Sequence, residues 1–256
     1  MAINIYTCRA VLRHQAGVSL VELLLYITIS SALMASMYQI FSSQEHSYMT
    51  QNEVMEIQQS ARAAMTVLTR DIRAAGYKSP LSKARVGFVA SLPAPNNNFT
   101  INYALQNDMI AMQNDTDGDS TVAPNTAEQI AYRFDAPTGT LQRFVPATTV
   151  PGGTWEVVID HVDALRFVYL DVNGVITTLP QNIRSVEVSL LVRSRRPDAK
   201  VKNTEIYRNA RGTDLCPACR TGANVHFYRR LLTTIVQARN CAYTGIEGLC
   251  NAANPI

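Results

Sequence analysis

The sequence predicts an α+β protein in which a long N-terminal α-helix, one half suited to a membrane and the other amphipathic, packs on an antiparallel β-sheet headpiece. Three observations predict it. No residue from Leu23 to Gln44 is charged, and the part up to about Met37 is dense in Leu, Ile, Ala and Met; about 20 such residues cross the hydrocarbon core of a bilayer as a helix. Neither Gly nor Pro occurs between Val18 and Ala75, so nothing breaks the helix as it leaves the apolar run. Beyond the helix the apolar pattern has a period of two, with β-branched and aromatic residues between turn signals.

In chain order, residues 1–17 form a short leader with Arg9 and Arg13 and no acid. The positive-inside tendency keeps this leader in the cytoplasm and places the chain after the single crossing, about residues 18–41, outside. After Glu45 the helix becomes amphipathic. Val54, Ile57, Ala61, Met65, Leu68, Ile72 and Ala75 recur at spacings of three and four, while Gln58, Gln59, Arg62, Thr66 and Arg70 fall mostly off that stripe. Gly76 and then Pro80 stop the helix, so the helical segment is residues 18–76 and the headpiece residues 77–256.

Within the headpiece, strands are expected near Phe99 to Leu105, Met109 to Gln113, Glu128 to Phe134, Leu141 to Val145, Trp155 to Ile159, Ala164 to Leu170, Val186 to Arg193 and His226 to Ala238. Turns fall at Pro137-Thr138-Gly139, Pro151-Gly152-Gly153 and Asn173-Gly174. No alternation of strands with long helices occurs, which selects an antiparallel sheet over a parallel one with crossovers.

The formal net charge of the 256 residues is +3. Arg9 and Arg13 supply two of those charges, so the body is close to neutral, unlike a dedicated nucleic-acid binder with a basic face. The sequence Arg193 to Lys202, RSRRPDAKVK, concentrates basic residues that could touch DNA or an acidic lipid surface. Pro197 and Asp198 mark it as a solvated loop between strands, and no nucleic acid is expected as a partner.

Five cysteines divide into Cys8 in the leader and an even set, Cys216, Cys219, Cys241 and Cys250. Outside the cytoplasm that set predicts two disulfides, with three pairings open; Cys241 with Cys250 is locally plausible. Cys216-Pro217-Ala218-Cys219 has redox-motif spacing but lies in a loop after Gly212. Asn114 to Ser120, NDTDGDS, places Asp115, Asp117 and Asp119 at alternate positions, as calcium loops do. Counting from Asp117 puts Glu128 at the twelfth place, yet Val122 stands where an EF-hand needs Gly. A solvated hairpin turn without metal is the expectation, these three aspartates being the sole calcium candidates. His14, His46, His161 and His226 are scattered, and no HExxH, GxSxG or phosphate-cradling glycine loop occurs. The chain reads as a non-enzyme without a cofactor.

Glu22 is the anomaly: a carboxylate at the head of an apolar run. An ordinary secretory signal with a cut at Ser30-Ser31-Ala32 or Leu33-Met34-Ala35 is weakened by it, and an uncleaved anchor leaves it unexplained. The stretch Gly17 to Leu23, GVSLVEL, resembles the type IV prepilin signature. The resemblance implies a dedicated peptidase cutting after Gly17, N-methylation of Val18, and Glu22 at the fifth mature position, where it meets the N-terminal amine of a neighbouring subunit. The family usually has Phe at the position of Val18. A charge inside a membrane helix is costly unless it finds a partner, and the α-amine of a mature Val18 is one, from a neighbour or from the same chain.

Leu68 to Tyr77, LTRDIRAAGY, resembles the segment that ends the N-terminal helix in PilW-type minor pilins and also in the J-type pseudopilins of type II secretion. Read by themselves, Arg70, Asp71 and Arg73 are a solvated helix end. Ala164 to Arg195 and Phe227 to Asn240 are similar to the β region and closing strand of the PilW type. The resemblance implies an inner-membrane prepilin with a periplasmic headpiece, partnered by prepilin peptidase, by other minor and major pilins and by the assembly platform of the inner membrane. Its role is then to prime or cap a type IV pilus and to reside at the pilus or its tip. A J-type pseudopilin is the near alternative, and a signal-anchored adhesin or binding module the distant one.

Overall fold

The computed structural model describes residues 17–79, 81–84, 86–89, 91–92, 101–102, 108–122, 126–146 and 153–242. Residues 1–16 of the leader with Cys8, the expected helix stop Pro80, Cys250, most of the strand expected at Phe99 to Leu105, and Pro151 and Gly152 of one expected turn lie outside the described residues. Contacts divide the chain into two units, residues 1–51 and 52–256. One helix, α1, runs over Leu20–Ala74 and belongs to both.

In the first unit every apolar side chain from Val18 to Phe41 is exposed. Among the hydroxyls of this apolar half, Thr28 donates to the Leu25 carbonyl, Ser31 to that of Thr28 and Ser36 to that of Ala32, each at 2.9 Å. Back-bonding of this kind satisfies a polar group where the surroundings offer none.

In the second unit α1 buries the expected stripe at Ile57, Ala61, Leu68, Ile72 and the following Ala75, with Ala64 added. Among the described residues ten strands follow: β1 (Gly87–Phe88), β2 (Ser91–Leu92), β3 (Ile101–Asn102), β4 (Met109–Gln113), β5 (Gln129–Asp135), β6 (Thr140–Val145), β7 (Thr154–Ile159), β8 (Val162–Leu170), β9 (Ser185–Arg193) and β10 (Arg229–Gln237). A four-residue helix, α2 (Arg239–Ala242), closes the described chain. All pairings between these strands are antiparallel. They make a five-stranded sheet β1-β4-β5-β6-β7, a three-stranded sheet β10-β9-β8 and the small pair β2-β3. The α+β class is therefore as the sequence predicts, with the antiparallel strands divided among three sheets.

The helix stripe shares one core with both larger sheets: Ile110, Met112, Tyr132 and Leu141 from the first, Leu165, Phe167, Val188, Leu190 and Val236 from the second. Alanines at 61 and 64 let the helix backbone approach the strands closely. The Tyr169 hydroxyl on β8 donates to the Met109 carbonyl on β4 and so joins the two sheets. Burial pushes that phenol's pKa far above its ordinary value. The opposite face of β8 and β9 is covered by the excursion between β9 and β10, where Ala164, Leu191, Tyr207 and Cys219 form a second apolar cluster.

At the helix end the structure corrects the sequence. Arg70 and Arg73 are exposed, but Asp71 is buried. It accepts a hydrogen bond from the Tyr132 hydroxyl at 2.6 Å, lies 3.6 Å from Arg143 Nη2, and takes the Arg70 Nε–H at 3.0 Å. Tyr132 is on β5 and Arg143 on β6, so the carboxylate latches α1 to the five-stranded sheet. Desolvation, with the hydrogen bond to Asp71, raises the Tyr132 phenol and keeps it a donor. The Asp71 contact likewise raises Arg70. Beyond the latch Gly76 adopts φ 77°, the left-handed helix end that glycine favours, and donates its N–H to the Gln113 carbonyl at 3.3 Å.

Replacing Tyr132 by Phe leaves Asp71 without its buried hydroxyl donor and should cost about 1.5–3 kcal/mol of headpiece stability. Urea unfolding of the full chain in detergent, with an unchanged denaturant slope, checks this; a midpoint equal to that of the unsubstituted chain refutes the latch.

Candidate functional site

The N-terminal constellation comes first. Gly17, Val18 and Ser19 precede the helix, and Leu23 N–H closes the first turn on the Ser19 carbonyl at 3.1 Å. Glu22 is thus in the first turn of α1, where a carboxylate is favoured by the unpaired amides and the helix dipole. Sequence reasoning missed its neighbour: the Tyr26 hydroxyl donates to Glu22 Oε1 at 3.2 Å. The signal was present, since residues four apart share a helix face. α1 is long and apolar enough to cross a membrane, and its most apolar stretch has no buried residue.

The acidic turn is assembled differently from its sequence pattern. Oxygens of Asp115, Asp117 and Glu128 lie within 4.8 Å of one another. Asp119 instead accepts from Thr121, at 2.7 Å from the amide and 2.8 Å from the hydroxyl. Asp117 and Asp119 are exposed, as in a solvated turn, but Asp115 is fully buried. It receives the Ser82 hydroxyl, the Gly118 N–H at 2.7 Å and the Ser120 N–H at 3.3 Å. Glu128 Oε1 receives the Thr116 N–H at 2.7 Å and its hydroxyl at 3.1 Å. These carboxylates serve as acceptors that close the connection between β4 and β5 onto the segment after α1. An acidic cluster so engaged is not by itself a metal site.

Cys216 and Cys219 are joined by a disulfide with a Cα–Cα separation of 5.4 Å. Pro217–Arg220 between and beyond them form one 3-10 turn. Cys241 is disulfide-bonded as well. Beside the first bridge lies a group that sequence reasoning overlooked: Asp163, which pairs with Arg229 Nε at 2.6 Å and Arg193 Nη1 at 3.4 Å. Both guanidiniums stack on Phe227, at 5.8 and 4.8 Å from the ring centre. Glu187, buried on β9, similarly lies 3.5 Å from Arg211 Nε and accepts the Ala210 N–H at 3.1 Å. Asp214 is held below the usual carboxylate range chiefly by the hydrogen bond from Arg220. The Glu187–Arg211 pair pins the excursion between β9 and β10 to the sheet, the Asp163 group ties the neighbouring ends of β8, β9 and β10 together, and partners so distant in the chain leave no spacing signature.

The basic loop is likewise internally organised. Arg193 belongs to the Asp163 group, Asp198 accepts the Tyr228 hydroxyl at 3.1 Å, and the Arg195 N–H donates to Glu53 of α1 at 3.1 Å. Arg195, Arg196, Lys200 and Lys202 remain on the surface.

These features define a helix-anchored α+β protein whose distinctive residues stand at the head of an exposed apolar helix, with carboxylate–arginine pairs pinning its headpiece. The family model of prepilin peptidase-dependent protein B matches residues 50–209, and the chain belongs to that family. No curated protein sequence matches it. Among solved structures, a type IV-like pilin from Thermus thermophilus is similar at 16% identity with a TM-score of 0.45, over 73% of this chain and 98% of that one.

The hydrogen bond from Ser82, followed by those from the Gly118 and Ser120 amides, holds the Asp115 carboxyl below its ordinary 3.8. A depressed carboxyl stabilises the fold in its ionised form, fully above the unfolded value, and the contribution vanishes as pH falls through the folded one. Asp115→Asn should therefore lower the Tm at neutral pH, and the gap to the unsubstituted chain should close in acid below the ordinary carboxylate range. Thermal melts across that range check it; a gap independent of pH is the contrary result.

Proposed function

We propose that this protein is a minor pilin of the PilW type, made as an inner-membrane prepilin, cut after Gly17 and N-methylated at Val18. It then joins other minor pilins through the membrane half of α1 to prime or cap a type IV pilus. The observation that carries the proposal is the Gly17–Glu22 signature at the head of an exposed apolar helix, in a chain of the prepilin peptidase-dependent protein B family. Its partners are prepilin peptidase, other minor and major pilins and the inner-membrane assembly platform. The headpiece is periplasmic, which agrees with the disulfide between Cys216 and Cys219. The role is structural rather than catalytic.

In this assembly Glu22 seeks the α-amine of a neighbouring Val18. The amine exists only after the cut, so processing and assembly are coupled by one ion pair in a medium where an unpaired charge costs several kcal/mol.

Mass spectrometry of the protein from assembling cells should find a mature chain starting at methylated Val18; an intact leader, or a start near Ala35, rejects the proposal. Glu22→Ala should stay in the membrane fraction yet drop out of sheared filaments and of complexes with the other minor pilins. Incorporation at the unsubstituted level removes Glu22 from that role.

A further inference from the structure

The three-stranded sheet ends in an open strand. β10 pairs with β9 over its full length without a shift of register, and among the described residues no strand lies on its other side. The Ser194 N–H bonds to the Tyr228 carbonyl and the Ala238 N–H to the Arg184 carbonyl. In an antiparallel ladder the bonded pairs alternate, so the even-numbered residues of β10 bond to β9. Leu231, Thr233, Ile235 and Gln237 consequently aim their N–H and C=O groups at the open edge.

Sheet edges in monomeric proteins are blunted by shortness, bulges or charge. β7, the outer strand of the five-stranded sheet, has such devices: a register shift at Leu141/Gln142 of its partner strand, and Glu156 in its centre. β10 has none. It is nine residues long, carries no charge from Leu231 to Gln237, and leaves Ile235 59% exposed. An edge of this kind is a template for an added strand.

A groove of about 910 Å³ lies alongside, between α1 and the helix-facing side of β10. Its lining includes Leu232 and Thr233 from the strand and four arginines, Arg62, Arg70 and Arg73 on α1 and Arg239 on α2, and among the described residues no carboxylate. Arg70 is paired with Asp71; among the described residues Arg62, Arg73 and Arg239 have no acidic partner. A bare backbone ladder beside unneutralised guanidiniums fits one occupant.

We infer that β10 and this groove dock an extended acidic segment of another polypeptide, which adds a strand to the open edge and turns its carboxylates toward Arg62, Arg73 and Arg239. Main-chain bonds to Leu231, Thr233 and Ile235 supply the affinity, and the arginines select the charge. The inference rests on headpiece geometry and not on the filament proposal.

The probe is a fluorescent peptide of β10's length, alternating Val and Thr with Glu at every fourth position, titrated into the full chain in detergent; the Lys counterpart is the control. The acidic peptide should bind saturably and the basic one should not. Ile235→Pro removes an outward N–H at a position where an edge strand tolerates proline, and should weaken binding about tenfold, the scale of a lost hydrogen bond. Arg62→Glu combined with Arg73→Glu, both on the exposed helix surface, should abolish it without shifting the Tm. Equal binding of both peptides, binding of neither, or full affinity in either variant overturns the inference. So does concentration-dependent dimerisation of the chain that Ile235→Pro removes, which would assign the edge to a second copy.

Discussion

The hydrogen bond from Tyr132 to Asp71 sets the position of α1, and the rest of the headpiece is arranged around that position. Asp71 is the one charged residue among the buried positions of the helix. Apolar burial along Ile57, Ala61, Ala64, Leu68 and Ile72 supplies most of the adhesion, but it is non-directional, and a stripe rich in alanine tolerates a slide of one turn. A carboxylate in an apolar interface does not: displaced by a turn, it would be buried without its 2.6 Å partner. Such a pair adds little net stability against a well-packed apolar alternative. It specifies register, here between a helix and a strand 61 positions further along the chain.

The same logic governs the far side of the sheet. Asp163 and Glu187 are carboxylates on β8 and β9 that stabilise nothing until arginines arrive from elsewhere: Arg193 and Arg229 for the first, Arg211 for the second. The disulfide at Cys216 and Cys219 shortens the loop that brings two of these elements together, and Cys219 itself is packed against Ala164, Leu191 and Tyr207. The excursion is thus held by directional contacts where its apolar content is low.

What was legible in the sequence was periodic. β4 falls at Met109–Gln113, as the alternation predicts, and β5 to β9 begin and end within two residues of expectation. Each is a run of alternating or continuous apolar residues bounded by turn chemistry. β10 starts at Arg229 rather than His226, because His226 and Phe227 serve the excursion: the His226 carbonyl accepts the Asp198 N–H at 2.7 Å. β1 and β2 are two residues long and too short to show a period. The candidate sites were legible only where chemistry is local. Gly17 to Leu23 resembles a contiguous signature, and the four C-terminal cysteines predict disulfides but leave the pairing open, which the structure makes Cys216 with Cys219. Asp71, Asp115 and Asp163 each owe their environment to residues more than thirty positions away. Nothing in the neighbouring sequence marks Asp71 and Asp115 as buried or Asp163 as half-buried, and all three would be taken for surface aspartates.

Glu22 is the opposite case, conspicuous in the sequence as a carboxylate at the head of an apolar run. The Tyr26 hydroxyl gives Glu22 one neutral donor, and a hydrogen bond between a carboxylate and a neutral hydroxyl offsets only part of what is lost with hydration. A cation–carboxylate contact is roughly twice as strong as a neutral hydrogen bond, and in hydrocarbon its Coulomb energy is little screened. If the proposed assembly holds, Tyr26 lowers the cost of holding Glu22 in the apolar region without removing the drive toward an ammonium group. A residue fully satisfied within its own helix would have no reason to choose a neighbour; one left without a donor would resist insertion. Under the proposed assembly, Tyr26 keeps Glu22 between those limits, so that the membrane accepts the monomer and the ion pair favours the polymer.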